Sequence, residues 1–133
     1  MNAPLGAAYG ASKFALEALT ESLRLEVRHF GMRSVLIEPG TLATDIQASE
    51  THKRPADYAG LWEQWSGANT KMTAPSLTGA EVVALAIASA IEDPATRLRV
   101  PVGQDAAMIW GLRRSLDDQA FEDAMRKALG LTW

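Results

Sequence analysis

A tyrosine and a lysine near the start of the sequence have the types and the spacing that suit proton transfer. Tyr9 and Lys13 are four residues apart, so in a helix their side chains project from one face, one turn apart. A free phenol is a poor base at neutral pH, but a nearby ammonium stabilises its phenolate. Tyr9 could then exchange a proton with an alcohol or carbonyl oxygen. The alternative is an ordinary buried helix tyrosine beside a solvated lysine.

The turn after a short apolar run is a second candidate element. Residues 34–37 lack the alternation of a half-exposed strand, which predicts a strand buried on both faces, and Pro39-Gly40 ends it. In open parallel sheets, ligands bind at the carboxyl ends of strands. Backbone groups of this turn and the Thr44 hydroxyl could bond an amide-bearing ligand. The alternative is a strand-ending turn without a ligand.

The elements that must position these residues follow an α/β pattern. Residues 8–30 are predicted to form one long helix that Gly31 ends, because apolar residues recur at spacings of three and four. A capping-box sequence at residues 78–81 predicts a second helix to about Ile91. Residues 98–102 predict a short edge strand, since a proline interrupts the run. Two helices, at about 105–114 and 118–129, are predicted to follow.

The amino-acid composition bears on which ligands, metals and macromolecules the chain is expected to bind. The net charge is −3 and Lys and Arg are scattered among acids, so no nucleic-acid partner is expected. The absence of cysteine excludes disulfides, thiolate zinc sites and cysteine nucleophiles. His29 and His52 are far apart in the sequence, and no metal site is expected. Without a signal-peptide pattern or an apolar stretch of about 20 residues, we expect a cytoplasmic protein with no membrane span.

Taken together, the two candidate elements resemble the short-chain dehydrogenase/reductase family. The resemblance covers residues 4–46 and rests on the Tyr-x-x-x-Lys helix, on Val35 to Gly40, and on Thr44. The predicted helix and strand after residue 78 are similar in order and spacing to the last helix and strand of that family. The resemblance implies the C-terminal portion of a Rossmann-type doubly wound parallel sheet, with the N-terminal strands missing.

The resemblance also implies roles for individual residues. Tyr9 would be the proton donor or acceptor, and Lys13 would stabilise its phenolate and hydrogen-bond the nicotinamide ribose. The nicotinamide site would be lined by Pro39, Gly40, Leu42 and Thr44, and the cofactor-binding residues would also include Tyr9 and Lys13. The implied cofactor is NAD or NADP, and the implied function is the interconversion of an alcohol and a carbonyl.

Several parts of the family pattern do not occur in these residues. There is no glycine-rich pyrophosphate turn, no serine about a dozen residues before the tyrosine, and no asparagine from an earlier helix. We therefore expect residues 1–133 to form a single partial domain. Its expected parts are a Tyr-x-x-x-Lys helix (8–30), a strand and nicotinamide-side turn (34–44), a substrate loop (45–77), and a last helix, strand and C-terminal helices (78–133).

The aromatic residues Tyr58, Trp62 and Trp65 lie where the family places its substrate loop. They suggest an apolar alcohol or carbonyl substrate, with Trp62 and Trp65 in contact with it; the alternative is that they only pack the loop onto the sheet. The helix that starts near Ala8 is similar to the one by which family members pair, which suggests a homodimer or homotetramer. The main alternative function is a non-catalytic binding or assembly module, and a third possibility is an unrelated α/β domain.

Overall fold

The computed structural model describes residues 4–43, 55–73 and 78–133, and of residues 72 and 73 it describes only the backbone. These residues confirm the α/β class. The elements are α1 (Ala7–Val27), β1 (Leu36–Pro39), α2 (Ala59–Thr73), α3 (Ala80–Glu92), β2 (Arg99–Val102), α4 (Gln104–Ser115) and α5 (Asp118–Leu129), with short 3-10 turns at Arg28–Phe30 and Ala56–Tyr58.

The two strands of the described residues form a parallel sheet. Leu36 lies opposite Arg99 and Pro39 opposite Val102. Helix α3 packs against both strands and lies between them in the sequence, as expected for a parallel crossover. Strand β1 begins two residues later than its apolar run predicts, because the Ser34 carbonyl accepts a hydrogen bond from Arg24 (2.7 Å) instead of joining the ladder.

Helix α1 and the 3-10 turn after it cover the predicted span. Gly31 ends them as the sequence predicts: it adopts the left-handed conformation (φ 70°), and its amide donates to the Arg28 carbonyl. Although α1 has 21 residues, no helix within the described ranges has both the length and the apolar character that a membrane span requires.

Helix α3 begins one residue later than the capping box predicts. Gly79, rather than Thr78, is its N-cap residue. Thr78 instead forms an isolated parallel bridge with Leu42, outside the two strands. The Glu81 carboxylate lies against Gly79, at the place where a Cβ of that residue would be. Thr78 therefore pairs with Leu42 through its backbone and does not cap the helix that follows it.

Arg99, on β2, links α1 to both strands. Its Nη2 atom lies 2.7 Å from Glu17 Oε2 and its Nη1 atom 2.9 Å from Glu21 Oε1, both on α1. Its Nε atom lies 3.2 Å from Glu38 Oε1 on β1. Because Arg99 starts β2 and contacts the middle of α1, and Arg24 contacts Ser34 just before β1, the helix runs antiparallel to the strands.

The antiparallel direction of α1 determines where its first turns lie relative to the sheet. Tyr9 precedes Glu17 by eight residues, which is about 12 Å along a helix axis. The first turns of α1 therefore point toward the carboxyl ends of β1 and β2. This is the edge of a parallel sheet at which ligands bind.

The main buried cluster joins α2 to α5. Trp65, Met125 and Leu129 form it, with Trp62, Ala68, Phe121 and Leu131 packed around them. The apolar stripe of α1 is different: Leu19 is 64% exposed. Leu85 of α3 is 70% exposed as well. The apolar faces of α1 and α3 therefore lie outside the core of the described residues.

Replacing Trp65 with alanine should lower the free energy of unfolding by about 3–5 kcal/mol, because the change empties the centre of the α2–α5 cluster. Urea unfolding followed by circular dichroism measures the loss. The control is Leu85→Ala on exposed α3, which should stay within about 0.5 kcal/mol of the parent chain. Equal losses in the two variants would contradict the docking of α2 on α5.

Candidate active site

The first two turns of α1 carry the proton-transfer candidates. Tyr9 and Lys13 share one face, with the Lys13 Nζ atom 5.3 Å from the centroid of the Tyr9 ring. The Tyr9 side chain is 70% exposed, so its hydroxyl is accessible to a ligand. Gly10 is buried and its amide donates to Gly6 (2.9 Å), which anchors the start of the helix.

The segment after β1 is held by hydrogen bonds on its main chain. The Gly40 amide donates to the Val102 carbonyl (2.9 Å), and the Thr41 amide donates to Asp105 Oδ2 (2.7 Å). The Thr41 carbonyl accepts from the Thr78 amide (3.0 Å), and the Ala43 amide donates to the Thr78 carbonyl (3.1 Å). Both backbone groups of Thr41 are thus used inside the protein.

Leu42 presents its backbone groups in the other direction. In a parallel bridge, the residues on either side of the bridged one bond the partner, as Thr41 and Ala43 do here with Thr78. The amide and carbonyl of Leu42 therefore point away from Thr78. A neutral donor and acceptor at this position suit a primary amide, which offers the complementary pair.

Asp105 also lies at this edge, although no pattern in the sequence indicates it. Its side chain is buried, with 6% exposed, and its Oδ1 atom accepts from the Ala106 amide (2.8 Å). Residue 105 was predicted only as the start of a helix, where a carboxylate is favourable next to the helix dipole. Its contact with Thr41 spans 64 residues of sequence, and no local pattern signals such a contact.

The predicted site residues that the structure describes lie in two separate groups. Tyr9 and Lys13 lie together on α1, and Pro39, Gly40 and Leu42 lie together at the end of β1. No hydrogen bond or ion pair joins the two groups within the described ranges; what they share is the edge of the sheet. Thr44 lies outside the described residues.

The loop aromatics take part in packing. Trp65 lies in the α2–α5 cluster and Trp62 packs against it, while the Tyr58 ring lies 6.3 Å from that of Trp133. The partners of this packing are helix α5 and the residues that follow it, rather than the sheet. These contacts favour the packing role that the sequence left open.

Glu38, directly before the Pro39-Gly40 turn, has a raised pKa. Burial of its carboxyl group raises the pKa most, the negative charge of Glu17 raises it further, and the positive charge of Arg99 opposes both. The pKa of Arg99 is itself raised, chiefly by its hydrogen bond to Glu17. An ionised Glu38 therefore costs stability, and Arg99 limits that cost.

Comparisons with known proteins agree on one family. A family model described as short chain dehydrogenase matches residues 1–55. An uncharacterized oxidoreductase of Schizosaccharomyces pombe is 32% identical over 133 residues, which cover 98% of this chain and 56% of the relative. Retinol dehydrogenase 16 of Rattus norvegicus is 36% identical over 61 residues, 46% of this chain and 19% of the relative.

A solved structure gives the same result. A short-chain dehydrogenase from Streptomyces avermitilis superposes with a TM-score of 0.58 at 27% identity, covering 91% of this chain and 46% of that one. This likeness identifies the two-stranded sheet and its helices as part of a Rossmann-like fold. The chain spans about half the length of the relatives that it matches along most of its own length.

Replacing Glu38 with glutamine should reduce the loss of stability as the pH rises from below 4.5 to neutrality. Because its folded-state pKa is raised, protonated Glu38 stabilises the fold; this contribution is complete below the ordinary value of 4.5 and is lost as the pH rises through the raised pKa. Urea midpoints of the parent and variant chains across this range measure the difference.

The matched control is Glu26→Gln, which makes the same charge change at an exposed position of α1. Its stability should follow the parent chain over the whole range. Parallel curves for Glu38→Gln and the parent would show that Glu38 does not contribute as described.

Proposed function

Because the chain belongs to the short-chain dehydrogenase family, we propose that it carries the proton-transfer and nicotinamide-side residues of an NAD(P)-dependent oxidoreductase that interconverts an alcohol and a carbonyl. The observation that carries the proposal is the Tyr9–Lys13 pair. Its phenol is exposed and its ammonium lies one helical turn away, at the ligand-binding edge of the sheet.

Tyr9 is proposed as the group that gives a proton to, or takes one from, the substrate oxygen. The residue is largely exposed, so the hydroxyl is accessible, and the Lys13 Nζ atom lies 5.3 Å from the centroid of its ring. A bound nicotinamide cofactor would supply or accept the hydride. Lys13 is also proposed to donate hydrogen bonds to the ribose hydroxyls of that cofactor.

The turn after β1 has a donor set that fits a nicotinamide carboxamide. Leu42 directs a backbone donor and acceptor away from the protein contacts that hold its neighbours. We propose that Pro39, Gly40, Leu42 and Thr44 hold the nicotinamide end of NAD or NADP. Residues 34–44 would then be the strand and turn of the cofactor site, and residues 45–77 the substrate loop.

The substrate is proposed to be an apolar alcohol or carbonyl. One relative is named retinol dehydrogenase, and retinol is an apolar alcohol. Trp62 remains a candidate for substrate contact because it is only half-buried, whereas Trp65 is engaged in the α2–α5 cluster. The non-catalytic module is not favoured, since the relatives described above carry oxidoreductase or dehydrogenase names.

The exposed apolar stripe on α1 supports association of the chain with itself, as a homodimer or homotetramer. Leu16 and Leu19 lie on this stripe, with 51% and 64% of their surface exposed. Burying such side chains in a symmetric contact removes apolar surface from water on both copies. We propose α1 as the contact helix.

Variants of Tyr9 and Lys13 should separate catalysis from cofactor binding. Tyr9→Phe should leave NADH and NADPH affinity within about twofold but lower reduction of retinal about 10²–10⁴-fold, because only the proton-transfer group is lost. Lys13→Met should weaken binding of both dinucleotides about tenfold, because charge-assisted hydrogen bonds to the ribose are lost. Fluorescence titration and absorbance assays of the purified chain measure the two effects.

Lys71→Met on α2 is the control for the loss of one cation and should change neither quantity. Circular dichroism on the same samples establishes that each variant is folded. A folded parent chain that binds neither NADH nor NADPH would overturn the proposed function. Equal dinucleotide affinities for Lys13→Met and Lys71→Met would remove the role proposed for Lys13.

Leu19→Glu should convert an α1-mediated oligomer to monomers, because a buried charge opposes the contact. Sedimentation equilibrium of the purified chain gives the molecular mass. The matched control, Leu85→Glu, places the same change at a similarly exposed leucine of α3. A monomeric parent chain, or equal dissociation in both variants, would exclude α1 as the contact helix.

A further inference from the structure

The Asp105 carboxylate bonds two separate parts of the chain. Its Oδ2 atom accepts from the Thr41 amide at 2.7 Å, and its Oδ1 atom accepts from the Ala106 amide at 2.8 Å. The side chain is buried, so both bonds are sheltered from water. Hydrogen bonds to an ionised acceptor are stronger than neutral ones, which makes this contact a firm attachment for the segment after β1.

The fit between Asp105 and Gly40 is steric as well as polar. A Cβ atom on Gly40 would lie 1.9 Å from Asp105 Oδ1, so any larger residue at position 40 would collide with the carboxylate. The φ angle of Gly40 is outside the left-handed region, so its backbone conformation is open to other residues. The carboxylate is therefore what requires glycine at this position.

A helix-capping role alone does not explain these contacts. Asp105 lies in the first turn of α4, where a carboxylate interacts favourably with the helix dipole and where the Ala106 amide is a local partner. Its contact with Thr41 lies across the edge of the sheet and adds nothing to the cap. This second bond points to a task at the turn.

That task is to orient the peptide groups next to Leu42. Asp105 holds the Thr41 amide, while Thr78 bonds the Thr41 carbonyl and the Ala43 amide. Because Thr41 and Ala43 bond Thr78, the amide and carbonyl of Leu42 point to the opposite side of the segment, away from Thr78. Loss of the Asp105 contact would free one side of Thr41 and let the direction of the Leu42 groups vary.

We propose that Asp105 is a positioning residue, which acts through Thr41 to hold the Leu42 backbone groups in place for the carboxamide of a nicotinamide cofactor. The inference rests on the proposed function and adds to it a residue on α4, outside the Tyr9–Lys13 helix and the Pro39-Gly40 turn. Asp105 donates no proton and has no contact with the reacting atoms in this role.

Asp105→Asn tests the proposal with little change in volume. One amide oxygen replaces two carboxylate oxygens, so either Thr41 or Ala106 faces an NH₂ group instead of an acceptor. The Thr41 amide should exchange with solvent deuterium about tenfold faster, as measured by NMR, because its acceptor is weakened. NADH binding, measured by fluorescence titration, should weaken about tenfold.

Asp117→Asn is the matched control. Asp117 is the N-cap residue of α5 and accepts from the Ala120 amide (2.8 Å), so its variant loses a charge at a helix N-terminus far from the turn in sequence. It should change neither Thr41 exchange nor NADH binding by more than about twofold. If Asp105→Asn exchanges no faster at Thr41 than this control, or exchanges faster yet binds NADH normally, the positioning role is wrong.

A second pair of variants guards against misfolding of Asp105→Asn. Gly40→Ala should speed Thr41 exchange strongly in the parent chain but much less when combined with Asp105→Ala, since the colliding carboxylate is then absent. Additive effects would overturn the contact. A parent chain with slow Thr41 exchange but no affinity for NADH or NADPH would contradict both the proposed function and the cofactor role of Asp105. The contact between Asp105 and Thr41 would still be established by the slow exchange.

Discussion

Arg99 lies where the long helix and both strands meet, and its ion pairs determine how α1 lies over the sheet. One guanidinium contacts two carboxylates on α1 and one on β1. These contacts fix the direction of the helix relative to the strands and its position along them. Partly exposed ion pairs contribute little individually, but a planar group shared by three partners loses less side-chain freedom per contact than separate pairs would. The placement of Tyr9 at the carboxyl edge of the sheet follows from this arrangement.

At that edge, buried polar contacts take the place of a large apolar core. The main cluster of the described residues is between α2 and α5, away from the strands, and the segment after β1 is instead held by the Asp105 carboxylate and the Thr78 backbone. Buried polar groups are costly unless each has a partner, so such a network allows few alternative arrangements. This network keeps the amide and carbonyl of Leu42 pointing away from Thr78.

The sequence predicted the features that depend on local patterns. Side-chain periodicity, which acts over a few residues, predicts the helix that carries Tyr9 and Lys13 and also predicts α5. The end of the first helix follows from Gly31. Other features depend on contacts between separate elements, which local patterns do not predict. The Ser34 carbonyl bonds Arg24, and β1 begins after it; Thr78 forms a bridge with Leu42 and is not the N-cap of α3. Asp105 accepts a hydrogen bond from Thr41, 64 residues away in the sequence.

The bridge between Leu42 and Thr78 brings together the two ends of the segment that contains α2. The entropy cost of closing such a segment rises only slowly with its length, by about 0.6 kcal/mol for each doubling. Insertions, deletions or whole exchanges between these ends therefore add little to the cost of closing the segment, and the edge of the sheet keeps its geometry. The bridge thus separates a segment whose length can change at little cost from an edge whose geometry depends on fixed contacts.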